Sequence, residues 1–278
     1  MTTLDHKIDF AVVFSVQNAN PNGDPLNGNR PRQNYDGYGE VSDVCIKRKL
    51  RNRLQDMGEV IFVQSDDRNN DGFKSLNDRA DAIPELKKIK ADKKGNADMY
   101  ATIASQTWFD VRAFGQVFAF KGDSLSVGVR GPVSIHTALS LAPIDITSIQ
   151  ITKSVNSVTG DKKGSDTMGM KHRVDFGIYK FFGSINTQLA EKTGFSNADA
   201  EKLKEALISL FENDASSARP EGSLEVHKVI WWEHNSKLGQ YSSAKVHRSL
   251  HVEGQSLSDL TISVEPLEGL EVYELDGK

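Results

Sequence analysis

The chain has 278 residues, of which 38% are hydrophobic and 26% charged, with a formal net charge of −4. This is ordinary for one elaborated domain or two small ones with a real core. A protein that coats duplex DNA is usually basic overall, so any nucleic-acid role here requires that the positive charge be segregated.

The first predicted element is a strand. Ile8, Phe10, Val12, Phe14 and Val16 alternate with Asp9, Ala11, Val13, Ser15 and Gln17, which gives one strongly apolar face. A polar loop follows, Asn18-Ala19-Asn20-Pro21-Asn22-Gly23-Asp24-Pro25, running on to Arg30-Pro31-Arg32. Its prolines and glycines oppose regular structure, and its asparagines offer donors and acceptors. Ser42 or Asp43 then caps a helix to about Met57, with Val44, Leu50, Leu54 and Met57 as the buried stripe. Cys45, the only cysteine, lies at the start of this helix and reads as a buried structural thiol. A lone cysteine forms no disulfide within the chain and no cysteine-based zinc site. Val60–Val63 reads as a short strand.

Residues 64–96 are polar and nearly aperiodic, and read as a surface insertion. A helix over about Ala97–Thr107 returns to the core. Strands are expected over Val127–Leu141 and Ile144–Val155. Residues 156–173, with Gly160, Gly164 and Gly169, form a second irregular insertion. Val174–Ile185 is an aromatic-rich strand, and Ser196-Asn197-Ala198-Asp199 is a capping box opening a helix with Leu203, Ala206, Leu207, Leu210 and Phe211 as its stripe. A strand over Val226–Trp232 places Trp231 and Trp232 on opposite faces, one of them in the core. A short helix near Ala244–Leu250 and a strand near Leu270–Leu275 end the chain. This order predicts an α+β fold with a mixed or antiparallel sheet, and a βαββαβ ferredoxin-like core with two inserted arms accommodates it. The first residues carry no signal peptide and no apolar run approaches membrane-spanning length, so a cytoplasmic location without membrane contact is expected.

The charge is segregated. Residues 18–57 carry seven Lys/Arg against five Asp/Glu, residues 153–173 carry five against two, and residues 259–278 carry one against six. On the helix after the polar loop, Lys47 and Arg51 share a face by i,i+4 spacing and Arg48 and Arg51 by i,i+3. A polar loop beside a cationic helix suits a flexible polyanion, which points to single-stranded nucleic acid. Met168 and Met170, on an arm that ends in Lys171-His172-Arg173, have the character of wedges between bases.

Other motifs carry less. The polar loop lacks the Gly-Lys-Ser/Thr of a P-loop and the spacing of a dinucleotide fingerprint. Asp67-x-Asn69-x-Asp71-Gly72 with Asp78 resembles a calcium loop, but a strand precedes it and Asp replaces the bidentate Glu, so no metal is expected there. His247 and His251 are spaced i,i+4 with Lys245 and Arg248 nearby, and read as surface histidines. No catalytic constellation emerges and no cofactor is implied.

The motifs Asn20-Pro21-Asn22-Gly23-Asp24-Pro25, Gly28-Asn29-Arg30-Pro31-Arg32, Ser42–Asn52, Asp110–Gly115, Arg130-Gly131-Pro132-Val133, Thr167–His172 and Glu191–Phe195 occur in one order along nearly the whole chain. Together they resemble the repeated backbone subunit of a CRISPR surveillance complex (Cascade) of subtype I-C, the Cas seven family of the RAMP superfamily. The resemblance implies an RNA-recognition-motif palm (1–63, 107–155 and 174–278), a fingers insertion (64–106) and a thumb insertion (156–173). It implies a non-catalytic subunit whose copies polymerise along one CRISPR RNA, each thumb kinking the strand and flipping out a base. The implied partners are the CRISPR RNA, target DNA through guide pairing, further copies, the guide-processing and large subunits, and a recruited helicase-nuclease. The RNA-binding residues expected from the motifs and charges are Asn18, Asn20, Asn22, Arg30, Arg32, Lys47, Arg48, Arg51, Arg112, Arg130, Lys153, Met168, Lys171, His172 and Arg173. Leu26 stands where the family often has an acidic residue, and Met170 where it often has an arginine, which removes one phosphate contact from the thumb. Related type III backbone subunits cut RNA with a loop aspartate, and Asp24 and Asp36 are the residues that the alternative would use.

Overall fold

The computed structural model describes residues 2–92, 95–120, 125–156, 159 and 168–278. In chain order the first elements are β1 (Ile8–Ala19), β2 (Gly23–Asp24), β3 (Arg30–Pro31), β4 (Tyr38–Val41), α1 (Asp43–Asp56), α2 (Leu76–Asp81), α3 (Pro84–Ala91), α4 (Ala97–Thr107) and α5 (Phe109–Phe114). Next come β5 (Gly115–Phe118), β6 (Val127–Arg130), β7 (Val133–Ile135), β8 (Ala138–Pro143), β9 (Ile146–Thr152), β10 (Met168–Ile185), α6 (Thr187–Thr193) and α7 (Asn197–Ile208). The last are β11 (Leu224–Glu233), α8 (Ser243–Arg248), β12 (Leu250–Glu253), β13 (Thr261–Val264) and β14 (Glu271–Asp276).

The central sheet is antiparallel, in the order β14-β11-β1-β10-β8-β4, with β7 and β9 also pairing β10. β1 runs down its middle, in register with β10 from Ile8↔Ile185 to Ala19↔Val174. Its apolar face, Phe10, Val12, Phe14 and Val16, packs with Tyr179, Phe181 and Trp231 under α1 and α7. From Asp9 to Ser15 the opposite face is buried rather than solvent-facing as its polar residues suggested, and only Gln17 at its end is exposed. α8 and the β12–β13 hairpin cover it, burying Ala11, Val13, Ile178, Ile230 and Trp232. Both tryptophans are therefore core, one on each side of the sheet.

That second layer explains a buried carboxylate. Asp9 is fully buried, and its charge is met by Lys7 Nζ at 3.1 Å, His234 Nε2 at 2.9 Å and His247 Nε2 at 3.5 Å. His247 is buried rather than on the surface, because α8 lays it over the sheet against Phe182. Burial pushes Asp9 up, but the surrounding histidine contacts, Ser243 and Lys7 more than offset this and hold it well below the usual carboxylate range.

Other local expectations shift for physical reasons. α1 buries Ile46, Lys49, Leu50 and Leu54, while Val44 in its first turn is exposed. Val60–Val63 forms no strand; the N–H groups of Phe62 and Val63 donate to the Asp110 carboxylate instead of to a ladder. The polar segment after it holds α2 and α3, which with α4 enclose a separate apolar cluster of Phe62, Leu86, Tyr100, Trp108, Phe118 and Val127. Asp71 in the calcium-like loop accepts from Arg79 Nε and Nη2 at 2.6 and 2.8 Å, so a guanidinium occupies its oxygens. No described helix is long and apolar enough to cross a membrane.

Candidate nucleic-acid interface

β1 and β10 run side by side until Ala19 faces Val174, and then they part. Asn18 takes a left-handed conformation (φ 53°), which asparagine tolerates better than most residues. The chain then turns away into the polar loop. β10 continues to Met168 with β9 as its partner from Ile146↔Val174 to Thr152↔Met168. A cleft of about 430 Å³ opens on the side of β10 that β1 has left, lined by Asn20, Asn29, Ile151, Met170, Lys171 and His172 among others.

The loop is built by its asparagines. Asn20 Nδ2 donates to the Asn29 carbonyl at 2.6 Å, and the Asn20 backbone N–H donates to Ala218 O at 2.9 Å. Asn22 Oδ1 accepts from both the N–H and the hydroxyl of Ser42 at 2.9 Å, while Ser42 Oγ caps α1. These bonds tie the loop to the start of the helix. Asp24 caps the turn at Pro25–Asn27 by accepting from Leu26 N at 3.2 Å, and lies 3.4 Å from Arg32 Nη2. Leu26 itself is fully exposed.

Arg30 joins this loop to the β9–β10 ribbon. Its Nη1 donates to Ser148 Oγ at 2.6 Å, and the same hydroxyl lies 2.8 Å from His172 Nδ1. Three residues from distant parts of the chain meet at one hydroxyl. Lys171 lines the same cleft, exposed and without a carboxylate partner among the described residues. Met168 and Met170 are exposed on the ribbon, on the same face as His172, opposite Thr152, Gln150 and Ser148. The residues from Met168 to Arg173, expected in an irregular arm, are strand because β9 pairs with them. The expected thumb segment also includes residues 157–158 and 160–167, which lie outside the described residues.

The cations of α1 are placed differently. Lys47 pairs with Asp43 at 3.0 Å, Arg48 donates to the Val63 carbonyl at 2.7 Å, and Lys49 pairs with Asp214. Arg51 Nε donates to Asp110 at 2.8 Å, and Arg53 pairs with Glu212 at 3.0 Å. Arg112 forms a two-pronged contact with Asp199, at 3.1 and 2.8 Å, and donates to Ser105 O at 2.9 Å. Asp199 is also the capping-box residue of α7, accepting from the Ser196 N–H at 2.8 Å. Burial pushes Asp199 up, but Arg112 and Ser196 outweigh it and hold the carboxyl below its usual value. Arg173 pairs with Asp175 at 3.2 Å, Arg130 is exposed at the end of β6, and Lys153 is exposed just past β9. The structure thus brings together Asn20, Arg30, Lys171 and His172. It gives Arg48, Arg51 and Arg112 internal partners. Asn29 and Ile151 line the cleft without having been expected, and Ser148 stands beside it, sharing a ribbon face with His172 through the β9–β10 register.

Residues 6–276 match the family described as CRISPR-associated protein Cas7. A curated relative, the CRISPR-associated protein Cas7 of Haloferax volcanii, is 29% identical over 235 residues, covering 78% of this chain and 67% of the relative. A chain from a solved "CRISPR RNA-guided surveillance complex, pre-nicking" superposes with a TM-score of 0.51 at 15% identity, covering 81% of this chain and 78% of that one. Another, from a "CRISPR RNA-guided surveillance complex", gives a TM-score of 0.44 at 14% identity, covering 81% and 68%. The likeness to the first of these bears on the fold, which is α+β around a central antiparallel sheet. The match along almost the whole sequence settles the family: the chain belongs to the CRISPR-associated Cas7 proteins.

Proposed function

We propose that this protein is a non-catalytic backbone subunit of a type I-C CRISPR surveillance complex. Several copies line up along one CRISPR RNA in the cytoplasm, hold its phosphate-sugar backbone, and leave its bases free to pair with target DNA. Sequence is then read by pairing, so the protein needs contacts that ignore base identity. The central sheet with α1 and α7 on one face serves as the ferredoxin-like palm, residues 64–106 as fingers, and residues 156–173 as a thumb that kinks the strand. The guide-processing subunit, the large subunit and a recruited helicase-nuclease supply the remaining activities.

One observation carries the reading: Arg30 of the polar loop and His172 of the ribbon meet at Ser148, beside a cleft that also presents Lys171 and two asparagines. Those groups are donors or carry both donors and acceptors, as a phosphate-sugar backbone requires. The expected role of Arg48, Arg51 and Arg112 narrows to holding the fold that presents the cleft, since each is spent on an internal acceptor. The test is co-expression with a CRISPR array and partner subunits. Wild-type complexes should carry a guide transcript, and Arg30→Ala with Lys171→Ala should lower RNA content while the protein stays folded. Unchanged RNA content would overturn the assignment of the cleft. For the type III alternative, the Asp24 Oδ1 already accepts from Leu26 N and lies 3.4 Å from Arg32 Nη2. Incubating the assembled complex with complementary RNA and magnesium discriminates, and cleavage lost on Asp24→Ala or Asp36→Ala would favour that alternative.

A further inference from the structure

Away from the cleft, the face of the sheet that carries α8 holds a lysine with no counter-ion among the described residues. Lys180 lies in β10 between Val13 and Leu139 in one cross-strand row. Its ammonium is 5.9 Å from the Phe182 ring, and no carboxylate meets it among the described residues. Burial alone pushes its ionisation down. His136 is tied to the same strand: its backbone N–H donates to Phe182 O at 2.8 Å, and its ring packs edge-on to His247, which stacks on Phe182. Burial, then His247, pushes the His136 imidazole below its ordinary value. Leu139, beside Lys180, is 43% exposed. A single lysine set among apolar groups is a poor footprint for a polyanion, which needs a stripe of cations. It is a good seat for a single carboxylate, whose arrival would neutralise a charge already drawn out of water.

The same molecule carries such a carboxylate at one end of the sheet. β14 is the terminal strand, with β11 on one side and no strand on the other among the described residues. Its Val272, Glu274 and Asp276 pair with Trp232, Ile230 and Lys228, so they share the face that bears Lys180. Asp276 is held by Lys228 at 2.7 Å, whereas Glu274 is exposed with no partner among the described residues. Val272 beside it is 38% exposed.

We propose that Lys180 and His136 receive Glu274 from the β14 edge of a second copy, so that copies join head to tail. This rests on the reading that copies line up along one guide. A patch that meets a different patch on its neighbour gives a contact that does not close on itself, and such contacts build open filaments. Charge complementarity fixes the register of that join, and like charges placed opposite one another break it.

The test is charge reversal in the complex co-expressed with a CRISPR array. Lys180→Glu and Glu274→Lys should each reduce the number of copies per RNA in native mass spectra and weaken assembly about tenfold or more, and the double reversal should restore assembly. Binding of a single copy to a short single-stranded RNA, read by fluorescence anisotropy, should not change. Glu274 is exposed on an edge strand, so Glu274→Lys keeps the test open if Lys180→Glu fails to fold. Unchanged copy number in Glu274→Lys, or failure of a folded double variant to recover, would overturn the contact. Loss of single-copy RNA affinity in Lys180→Glu would overturn it in favour of a nucleic-acid patch. A wild-type protein that binds a long guide as one copy would sink the backbone reading itself, a result distinct from all of these.

Discussion

Two groups of cations in this protein look alike in sequence and differ in use. Those on α1 are dense, and every one from Lys47 to Arg53 has a partner inside the molecule. Those of the polar loop and the β9–β10 ribbon are sparser, yet Arg30 and Lys171 have no carboxylate among the described residues. Charge density along a chain therefore says little about which charges are free. Availability depends on whether the fold brings an acceptor to each one. Changing members of each group separately should give effects of different kind.

The largest stability effect is expected at Arg51. Asp110 is fully buried and accepts from Arg51 Nε, Phe62 N and Val63 N at 2.8, 2.7 and 3.1 Å. Arg51→Ala leaves that carboxylate in the interior with only two backbone donors. Breaking one side of a buried pair typically costs about 3–5 kcal/mol. Urea denaturation should show a loss of that size, and the salt dependence of RNA binding by the folded protein should keep its slope. A flatter slope with unchanged stability would return Arg51 to the RNA-facing group.

Acid should expose a second internal group. Asp9 and Asp199 both have folded ionisation held below the usual carboxylate value. Each therefore contributes stability that is fully present above that value and is lost as pH falls below it toward the lowered folded value. Asp199→Asn should flatten the acid limb of a stability–pH curve and lower stability at pH 7 by about 1.5–3 kcal/mol, the worth of hydrogen bonds to a charged group. An unchanged acid limb would show that Arg112 does not stabilise the ionised form.

In the cleft, Arg30→Ala with Lys171→Ala should cost no more than about 0.5–1.5 kcal/mol, the worth of the one hydrogen bond from Arg30 to Ser148. The log–log salt slope of RNA binding should become shallower by about 0.7 for each lost phosphate contact. A slope identical to wild type would show that neither side chain faces a phosphate.

The sequence made the regular parts of this fold legible where one residue pattern met one partner. α4 matches its expected span, and the capping box at Ser196 forms as the spacing requires. The inner face of β1 is also where alternation put it. Legibility failed where a distant element supplied the partner. Asp9 stood on the polar side of the alternation because nothing near it in sequence announces that α8 returns over that face and brings His247 to it. Residues 76–91 looked aperiodic because α2 and α3 are short and each buries only one or two side chains. The same limit governs the site. The asparagine loop was visible as a loop, but Ser148 became part of it only through contacts spanning 118 and 24 residues.

Lys47 is the case that sits between the two groups, and it carries the smallest prediction. Its partner Asp43 lies one turn away on the same helix, and both side chains keep substantial exposure, 24% and 39%. Such an i,i+4 pair contributes only about 0.3–0.5 kcal/mol, less than a single phosphate contact could return. Lys47 can exchange Asp43 for RNA, whereas Arg51 cannot leave Asp110. Lys47→Ala should therefore lower stability by no more than that amount, close to the error of a denaturation curve. It should also reduce the salt slope by at most one contact, about 0.7. Comparison with Lys47→Met, which keeps the stem and removes the charge, separates lost packing from a lost phosphate contact. If both variants bind RNA with the wild-type slope, α1 as a whole belongs to the scaffold, and the boundary between the two groups of cations falls at the end of the polar loop.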